Sequence, residues 1–174
     1  VIPYFVKLGV ATIYASPIFK AVPRSTHGYD CVDLLTINPE IGTEEQLRSI
    51  SKKLKAEGIG WLQDIVPNHM AFHQDNLWLM DVLEKGPASE YASFFDIDWR
   101  DKLLVPFLGS TLDEVLQKGE LKISSENNRL VLKYYDNTFP LARNSYSLDE
   151  IPERINKNAD RLAELLANQH YRLC

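Results

Sequence analysis

Two short apolar segments, one on either side of an amphipathic segment, constrain the fold of this chain more than any other feature. Residues 11–16 (ATIYAS) and 59–66 (IGWLQDIV) are apolar, contain β-branched and aromatic side chains, and are each followed by proline, which predicts two strands. Between them, residues 43–58 begin with a threonine and two glutamates and end with lysines and a glycine, which predicts a capped amphipathic helix. The succession strand, helix, strand predicts a right-handed βαβ crossover with parallel strands. The buried stripe of the helix is expected to contain Leu47, Ile50 and Leu54.

A long segment separates the first strand from the helix, and the sequence predicts that residues 17–43 form a loop there. Parallel strands connected in this way occur in doubly wound sheets and in (β/α)₈ barrels, and periodicity alone does not distinguish the two. In both architectures, ligands bind at the carboxyl ends of the strands. The polar residues that follow the two strands are therefore the candidates for a functional site.

The second half of the chain has a different pattern. Residues 76–86 predict a short helix that ends at Gly86, and the residues after it carry short strand-like runs separated by glycines and a polar SSENN turn. A last helix is expected near the end, strongest over residues 156–168. This half is predicted to be a β-rich subdomain within an α/β frame. The strand-like runs are residues 92–99, 102–108, 119–124 and 129–136.

Composition narrows the class of protein. Apolar residues make up 45% of the chain and charged residues 25%, which is typical of soluble globular proteins. No apolar run approaches the roughly 20 residues needed to cross a bilayer. A net charge of −5 disfavours nucleic acid as a partner. Cys31 and Cys174 form neither a disulfide framework nor a metal-ligand spacing, so we expect a reduced, cytoplasmic setting with no metal and no cofactor.

Both ends of the chain fall within apolar patterns. The chain opens on VIPYFVKLG, which predicts the last turns of a helix ending at Gly9, with no capping residue before it, and it closes on HYRLC. We expect the chain to be a piece of a longer protein, with a processed chain as the alternative. Exposed strand edges should then lead the isolated piece to self-associate.

The first candidate site follows the second strand. In DIVPNH, the sequence predicts that Asp64 still lies on the strand while Asn68 and His69 lie in the turn beyond it. A carboxylate, an amide and an imidazole at the carboxyl end of one strand can bind several hydroxyl groups by hydrogen bonds. The alternative is structural: the three side chains could cap the turn and satisfy backbone groups.

The second candidate site lies in the long loop, in STHGYD. Gly28 permits a tight or left-handed backbone next to Tyr29. Tyr29 offers a flat apolar face with a polar tip, which suits stacking on a sugar ring. His27 and Asp30 flank it as hydrogen-bonding groups. The alternative is an ordinary polar loop with an anchoring tyrosine.

Together, HGYD after one strand and D-x-x-x-N-H at the end of the next resemble the alpha-amylase superfamily of glycoside hydrolases. The longer stretches YASPIFKAVPRSTHGYD, DIVPNHMA and DVLEKGPASEYASFFDIDW are similar to the maltooligosyltrehalose synthase family within it, as are FPLA and QHYRL. The resemblance covers essentially the whole chain.

The resemblance implies a partial (β/α)₈ barrel, containing the second and third barrel strands, with an inserted β-rich subdomain. We expect residues 1–75 to be the partial barrel, residues 76–148 the inserted subdomain and residues 149–174 a helix that returns to the barrel. In that family the nucleophile Asp and the acid/base Glu lie on the fourth and fifth strands, outside this chain. The chain alone is therefore expected to be inactive.

For the site, the resemblance implies that Tyr29 stacks under the sugar next to the scissile bond. Asp64 and His69 would contact that sugar or orient the catalytic carboxylates, and Asn68 would shape the loop. The implied reaction converts the reducing-end α-1,4 bond of a maltooligosaccharide into an α,α-1,1 bond. Two alternatives are another amylase-type hydrolase or transglycosylase, and a non-catalytic carbohydrate-binding module. In the subdomain, core packing is expected for Phe94, Phe95 and Trp99, with a pocket wall as the alternative.

Overall fold

A computed structural model describes residues 1–174, and the chain divides into two compact units, Val1–Asn76 and Leu77–Cys174. The assignment of the units to a barrel and an inserted subdomain stays a prediction. By its contacts, the segment 149–174 belongs to the second unit. No helix in the chain is both long enough and apolar enough to span a bilayer.

The first unit is built on a parallel pair of strands joined by a helix. Thr12 pairs with Gly60 and Ala15 pairs with Gln63, which confirms the predicted βαβ order. These two strands form a sheet of their own, so each keeps one unpaired edge, and the expected self-association stays a prediction. The elements are α1 (Ile2–Lys7), β1 (Thr12–Ala15), β2 (Phe19–Ala21), β3 (Cys31–Ile37), α2 (Glu44–Ala56) and β4 (Gly60–Gln63).

The crossover helix α2 forms for the predicted reasons. The Thr43 side chain accepts from the Gln46 backbone N–H, and the Gln46 side chain accepts from the Thr43 N–H, which together make a capping box. Glutamates occupy the first turn and lysines the last turn, in line with the helix dipole. Leu54 is fully buried, but Ile50 is 41% exposed, so the predicted buried stripe is wrong at that position.

Residues 17–43 are not the loop that the sequence predicts. They contain the antiparallel hairpin β2–β3, with register irregularities in β2. Cys31 and Val32 at the start of β3 are almost completely buried, and so is Ala21 on β2. The prolines and glycines that suggested a loop lie outside the paired residues, whereas the apolar and β-branched residues of β3 supply the strand.

The second unit combines a three-stranded antiparallel sheet with a separate parallel pair. Strand β7 lies between β6 and β8, and β5 pairs with β9. Strands β6 and β7 join through a tight turn at Asn127 and Asn128, both with positive φ, which asparagine tolerates. The elements are α3 (Leu77–Lys85), β5 (Leu103–Val105), α4 (Leu112–Gln117), β6 (Leu121–Glu126), β7 (Arg129–Tyr134), β8 (Asn137–Pro140), α5 (Pro152–Asn156), α6 (Ala159–Ala167) and β9 (Tyr171–Leu173).

Three predictions for this unit need correction. Residues 92–99 form no strand; a short 3₁₀ turn covers Ala92–Phe94 instead. The Phe94 side chain is 62% exposed and lies edge-on to the stacked rings of Trp78 and Tyr91, so it is not a core residue. The last helix is split into α5 and α6, because Asn158 starts a new helix by accepting from the Arg161 N–H.

A buried glutamine fastens the end of α6 to the segment after β8. The Gln169 side-chain oxygen accepts from the Ala142 N–H at 2.6 Å, and its amide donates to the Leu165 carbonyl at 2.6 Å and to Ser145 Oγ at 3.1 Å. Gln169 and Ala142 are both excluded from water. The amide therefore satisfies backbone groups that water cannot reach.

We predict that Gln169→Leu lowers the free energy of unfolding by about 1–3 kcal/mol, because it leaves the buried Ala142 N–H without a partner. Urea denaturation of the full chain measures this loss. Gln117→Leu, at an exposed position in α4, is the matched control and should change stability by less than about 0.5 kcal/mol. Equal losses of stability from the two substitutions would contradict the role of Gln169 as a partner of buried backbone groups.

Candidate functional site

The loop between β2 and β3, residues 22–30, carries the HGYD motif and is held in one conformation by a glycine. Gly28 has φ +75°, and a Cβ atom there would lie 2.7 Å from the carbonyl oxygen of Pro17. Its N–H donates to Ser25 Oγ at 3.0 Å, and the Ser25 hydroxyl donates to the Asp30 carboxylate. Since Pro17 follows β1, this close approach fastens the loop to the region just beyond the carboxyl end of β1.

His27 and Asp30 contact the loop itself. His27 Nδ1 accepts from the Tyr29 N–H at 3.0 Å and lies 3.7 Å from the Asp30 carboxylate. The His27 and Tyr29 rings lie 5.9 Å apart, centre to centre. Neither His27 nor Asp30 has a hydrogen bond to Asp64. Their contacts organise the backbone around Tyr29, and a role in ligand binding stays a prediction.

Tyr29 and Asp64, separated by 35 residues, meet in the structure. The Tyr29 hydroxyl donates to Asp64 Oδ2 at 2.5 Å. Asp64 lies one residue beyond β4, not on the strand as predicted, but its N–H still donates to the Ala15 carbonyl at 2.9 Å. Gln63 stabilises the carboxyl ends of β1 and β4, because its amide donates to the carbonyls of Ser16 and Asp64 at 2.9 and 2.8 Å.

His69 joins the same cluster from the other side. Its Nε2 lies 3.2 Å from the Tyr29 carbonyl oxygen, and because that oxygen can only accept, Nε2 donates there. Its Nδ1 lies 3.2 Å from Asn68 Oδ1. The Ala71 N–H donates to the Cys31 carbonyl at 2.8 Å, which fastens this segment to β3. The structure therefore brings Tyr29, Asp64, Asn68 and His69 into one contiguous cluster.

Hydrogen bonding sets the charge state of the cluster. Donation to the Asp64 carboxylate, with further contributions from burial and negative charge, raises the pKa of Tyr29 to about 12. Accepting from Tyr29, and to a lesser extent from Tyr14, lowers the pKa of Asp64 below its usual range. At neutral pH, Asp64 is therefore ionised and the neighbouring phenols are neutral.

Tyr14 on β1 lies beside this cluster, outside the two site motifs HGYD and DIVPNH. Its interaction with the Asp64 carboxylate raises the pKa of the Tyr14 phenol. The signal that could have found it is the alternation of side chains along two adjacent parallel strands.

The cluster is open to solvent and offers several hydrogen-bonding groups beside an aromatic ring. Tyr29 is 40% exposed, and Asn68 and His69 are exposed as well. This combination suits a ligand with many hydroxyl groups and apolar CH faces. Across the chain, no group of three or more His, Cys, Asp or Glu side chains is arranged to hold a metal ion.

We predict that Gly28→Ala lowers the free energy of unfolding by about 2–4 kcal/mol, because the added Cβ combines a left-handed backbone with a clash against Pro17. Gly9→Ala is the control: Gly9 has φ +72° but nothing within 4 Å of the added atom, so only about 1 kcal/mol should be lost. Urea denaturation compares the two. Equal losses of stability would mean that a Cβ atom at residue 28 does not clash with the Pro17 carbonyl.

We predict that Asp64→Asn lowers the pKa of Tyr29 from about 12 toward the ordinary value of about 10, because an amide carries no charge. The Tyr29 phenol, whose pKa is raised on folding, contributes stability below about pH 10 that is lost as the pH rises toward 12. Asp64, whose pKa is lowered, contributes stability above about pH 4 that is lost as the pH falls through its folded value. The hydrogen bond between Tyr29 and Asp64 therefore contributes its full stability between about pH 4 and 10.

A pH titration of tyrosine ring signals by NMR measures this shift. The control is Asp96→Asn, which changes an exposed carboxylate outside the cluster and should leave the Tyr29 signal unmoved. A Tyr29 pKa that stays near 12 in Asp64→Asn would contradict the hydrogen bond as its cause.

Comparisons with known proteins identify the relatives of this chain. Residues 1–138 match the sequence profile of the alpha amylase catalytic domain. A putative maltooligosyl trehalose synthase of Mycobacterium tuberculosis (strain ATCC 25618 / H37Rv) is 42% identical over 133 residues, which are 69% of this chain and 17% of that protein. The chain therefore spans about a sixth of the length of that relative.

Solved structures agree over nearly the whole chain. A crystal structure of a maltooligosyl trehalose synthase matches 98% of this chain and 22% of its own, with TM-score 0.84 and 39% identity. The hypothetical maltooligosyl trehalose synthase of Sulfolobus tokodaii matches the same 98% and 22%, with TM-score 0.78 and 40% identity. These matches confirm the predicted α/β class and the partial barrel.

The profile match covers well over half of the 174 residues, and the structural matches extend over both units. They also agree with the family that the HGYD and DIVPNH motifs indicated. The chain belongs to the alpha-amylase catalytic-domain family.

Proposed function

We propose that this chain supplies part of the sugar-binding surface of an enzyme that isomerises maltooligosaccharides. The sugar next to the scissile bond would rest on the Tyr29 ring, with Asp64 and His69 as its hydrogen-bonding partners. The observation that carries the proposal is the continuous contact from Asp64 to the Tyr29 hydroxyl and from the Tyr29 carbonyl to His69. It fixes an exposed aromatic face beside a carboxylate and an imidazole.

The cluster is suited to a sugar because the ring of Tyr29 is held at both ends. Its hydroxyl is bonded to Asp64, its N–H to His27 and its carbonyl to His69. A ring fixed in this way loses little side-chain entropy when a sugar stacks on it. Asp64 and His69 can then contact the hydroxyl groups at the edge of the same sugar.

The other candidate residues have supporting roles in this proposal. His27 and Asp30 stabilise the loop and can reach sugar hydroxyls at its rim, since both are at least partly exposed. Asn68 lies beside the His69 ring, with its side-chain oxygen 3.2 Å from Nδ1, and would shape the loop. We assign no metal-binding role to any of them.

For the parent enzyme, the proposal is an intramolecular transfer of a glycosyl group. A carboxylate attacks the anomeric carbon of the penultimate sugar, the α-1,4 bond breaks, and an acid protonates the leaving oxygen of the terminal glucose. The anomeric hydroxyl of that glucose then attacks the anomeric carbon of the glycosyl-enzyme, and its proton passes to the same acid/base group. The glycosyl–carboxylate bond breaks, the carboxylate is released, and an α,α-1,1 bond forms. The two carboxyl groups would lie outside this chain, so the chain alone would be inactive.

The proposal also places the parent enzyme in the cytoplasm with a maltooligosaccharide as its substrate. Both cysteines are free thiols, which suits a reducing compartment. The similarity to relatives named maltooligosyl trehalose synthase supports the substrate.

The test compares the 174-residue chain with a chain extended to the length of the relatives, each incubated with maltopentaose. Reducing ends and released glucose are both measured. We expect the extended chain to remove reducing ends without releasing matching glucose, and the shorter chain to do neither. New reducing ends or glucose would indicate a hydrolase instead. Turnover by the shorter chain would contradict the proposal that the catalytic carboxyl groups lie outside it.

Variants of Tyr29 test the site itself in the 174-residue chain. Tyr29→Ala should weaken maltopentaose binding roughly tenfold, because the stacking face is removed. Tyr29→Phe keeps that face and should weaken binding less. Isothermal titration calorimetry measures both, with Tyr4→Ala, at an exposed position in α1, as the control. Equal binding by all variants would mean that sugar does not stack on Tyr29.

A further inference from the structure

The loop that carries Tyr29 begins with a turn in a backbone conformation that glycine usually supplies. The Ser25 N–H donates to the Val22 carbonyl at 3.0 Å, which closes a four-residue turn over residues 22–25. Pro23 fixes a negative φ at the second position, and Arg24 has φ +67° at the third, which is typical of a type II turn. That third position favours glycine, because a side chain strains a left-handed backbone. The Arg24 conformation therefore depends on contacts from outside the turn.

A carboxylate from beyond β3 supplies such a contact. The Arg24 N–H donates to both oxygens of Glu40, at 3.2 Å to Oε1 and 3.0 Å to Oε2. The hydrogen bond that closes the turn uses the N–H of its fourth residue, so the N–H of Arg24 has no partner within the turn. A charged acceptor forms a stronger hydrogen bond than a neutral one. Glu40 therefore stabilises the turn in the conformation that an arginine side chain disfavours.

The position of Glu40 is itself set by a buried asparagine. Asn38 is only 6% exposed, and its N–H donates to the Ile18 carbonyl at 2.9 Å, next to the β2–β3 hairpin. Its side-chain oxygen accepts from the Glu40 N–H at 3.0 Å, and its carbonyl accepts from the N–H groups of Ile41 and Gly42. The segment after β3 is therefore an ordered turn, which gives the Glu40 side chain a fixed backbone.

Ser25, the last residue of the turn at the start of the loop, connects that turn to Tyr29. The Ser25 side-chain oxygen accepts from the Gly28 N–H at 3.0 Å, and its hydroxyl donates to the Asp30 carboxylate. Gly28 and Asp30 are the residues on either side of Tyr29. A continuous series of contacts therefore joins Glu40 to the backbone that presents the Tyr29 ring.

We propose that Glu40 is a positioning residue of the sugar site: its carboxylate holds the Arg24 turn and thereby keeps Tyr29 in the conformation that binds sugar. The inference rests on the proposed sugar-binding function. Glu40 acts through the loop and does not contact the sugar. If the turn opens in part of the molecules, only the remaining fraction can bind, so the apparent affinity falls in proportion to that fraction.

The test is Glu40→Ala in the full 174-residue chain, which removes both acceptor oxygens. We expect maltopentaose affinity, measured by calorimetry, to fall roughly twofold to fivefold. Glu40→Gln keeps one acceptor oxygen and should recover most of the affinity. Glu57→Ala, which removes an exposed carboxylate at the end of α2, is the control and should bind like the unaltered chain. Unchanged affinity in Glu40→Ala would overturn the inference.

A double variant separates positioning from direct contact with sugar. Glycine adopts a left-handed backbone freely, so Arg24→Gly should keep the turn with less support from Glu40. In that background, Glu40→Ala should reduce affinity less than it does in the unaltered chain. Equal losses of affinity in the two backgrounds would mean that Glu40 contacts the sugar itself, and would overturn the inference.

Hydrogen exchange distinguishes a local effect from a general loss of stability. In Glu40→Ala, we expect faster exchange of the Gly28 N–H, which is bonded to Ser25 Oγ. The Gly60 N–H, which donates to the Ala11 carbonyl at 2.8 Å, should exchange at its original rate. Equal acceleration at both amides would show that Glu40 stabilises the whole unit and not the loop, contrary to the inference.

The outcomes distinguish the inference from the proposed function. If the unaltered chain fails to bind maltopentaose, the sugar-binding proposal itself fails, and the role of Glu40 falls with it. If the unaltered chain binds and Glu40→Ala binds equally well, only the inference about Glu40 fails.

Discussion

The parallel pairing of β1 with β4 is the constraint on which the first unit depends. It brings residues almost 50 positions apart into register, from Thr12 opposite Gly60 to Ala15 opposite Gln63. The same ladder continues to the Asp64 N–H, so the position of that carboxylate follows from the pairing. A shift of one residue would move Asp64 to the other face of the sheet and away from both phenols. The capped crossover helix α2 supplies the connection that parallel pairing requires.

A second constraint acts on the loop that brings Tyr29 to this carboxylate. The hairpin β2–β3 fixes both ends of the loop, and Gly28 closes its middle against the Pro17 carbonyl. The loop is therefore stabilised by backbone contacts rather than by a hydrophobic core of its own. That arrangement leaves the Tyr29 ring exposed while its hydroxyl and backbone are held. Binding residues commonly lie on loops that a rigid scaffold positions in this way.

Local patterns in the sequence predicted those parts of the fold that depend on local physics. The strand–helix–strand order, the Thr43 cap and the meeting of the two motifs follow from periodicity and from the rule that strand ends converge. The hairpin was missed because prolines and glycines in residues 17–43 outweighed the apolar and β-branched residues of β3. The contact of Tyr14 with Asp64 depends on strand register, and the contacts of Gln169 depend on segments far apart in sequence. No short window contains that information.

The surroundings of Asp64 also bear on which chemistry it can perform. A general acid needs a raised pKa, whereas the hydrogen bonds from Tyr29 and Tyr14 lower the pKa of Asp64. A nucleophile needs a free lone pair directed at the reacting carbon, whereas the Tyr29 hydroxyl occupies an acceptor position on Asp64 Oδ2. Either role would also require breaking hydrogen bonds that the fold has already arranged. Binding a sugar hydroxyl requires only a free acceptor position and leaves the Tyr29 hydrogen bond in place, so these contacts favour Asp64 as a substrate-holding group over a reacting one.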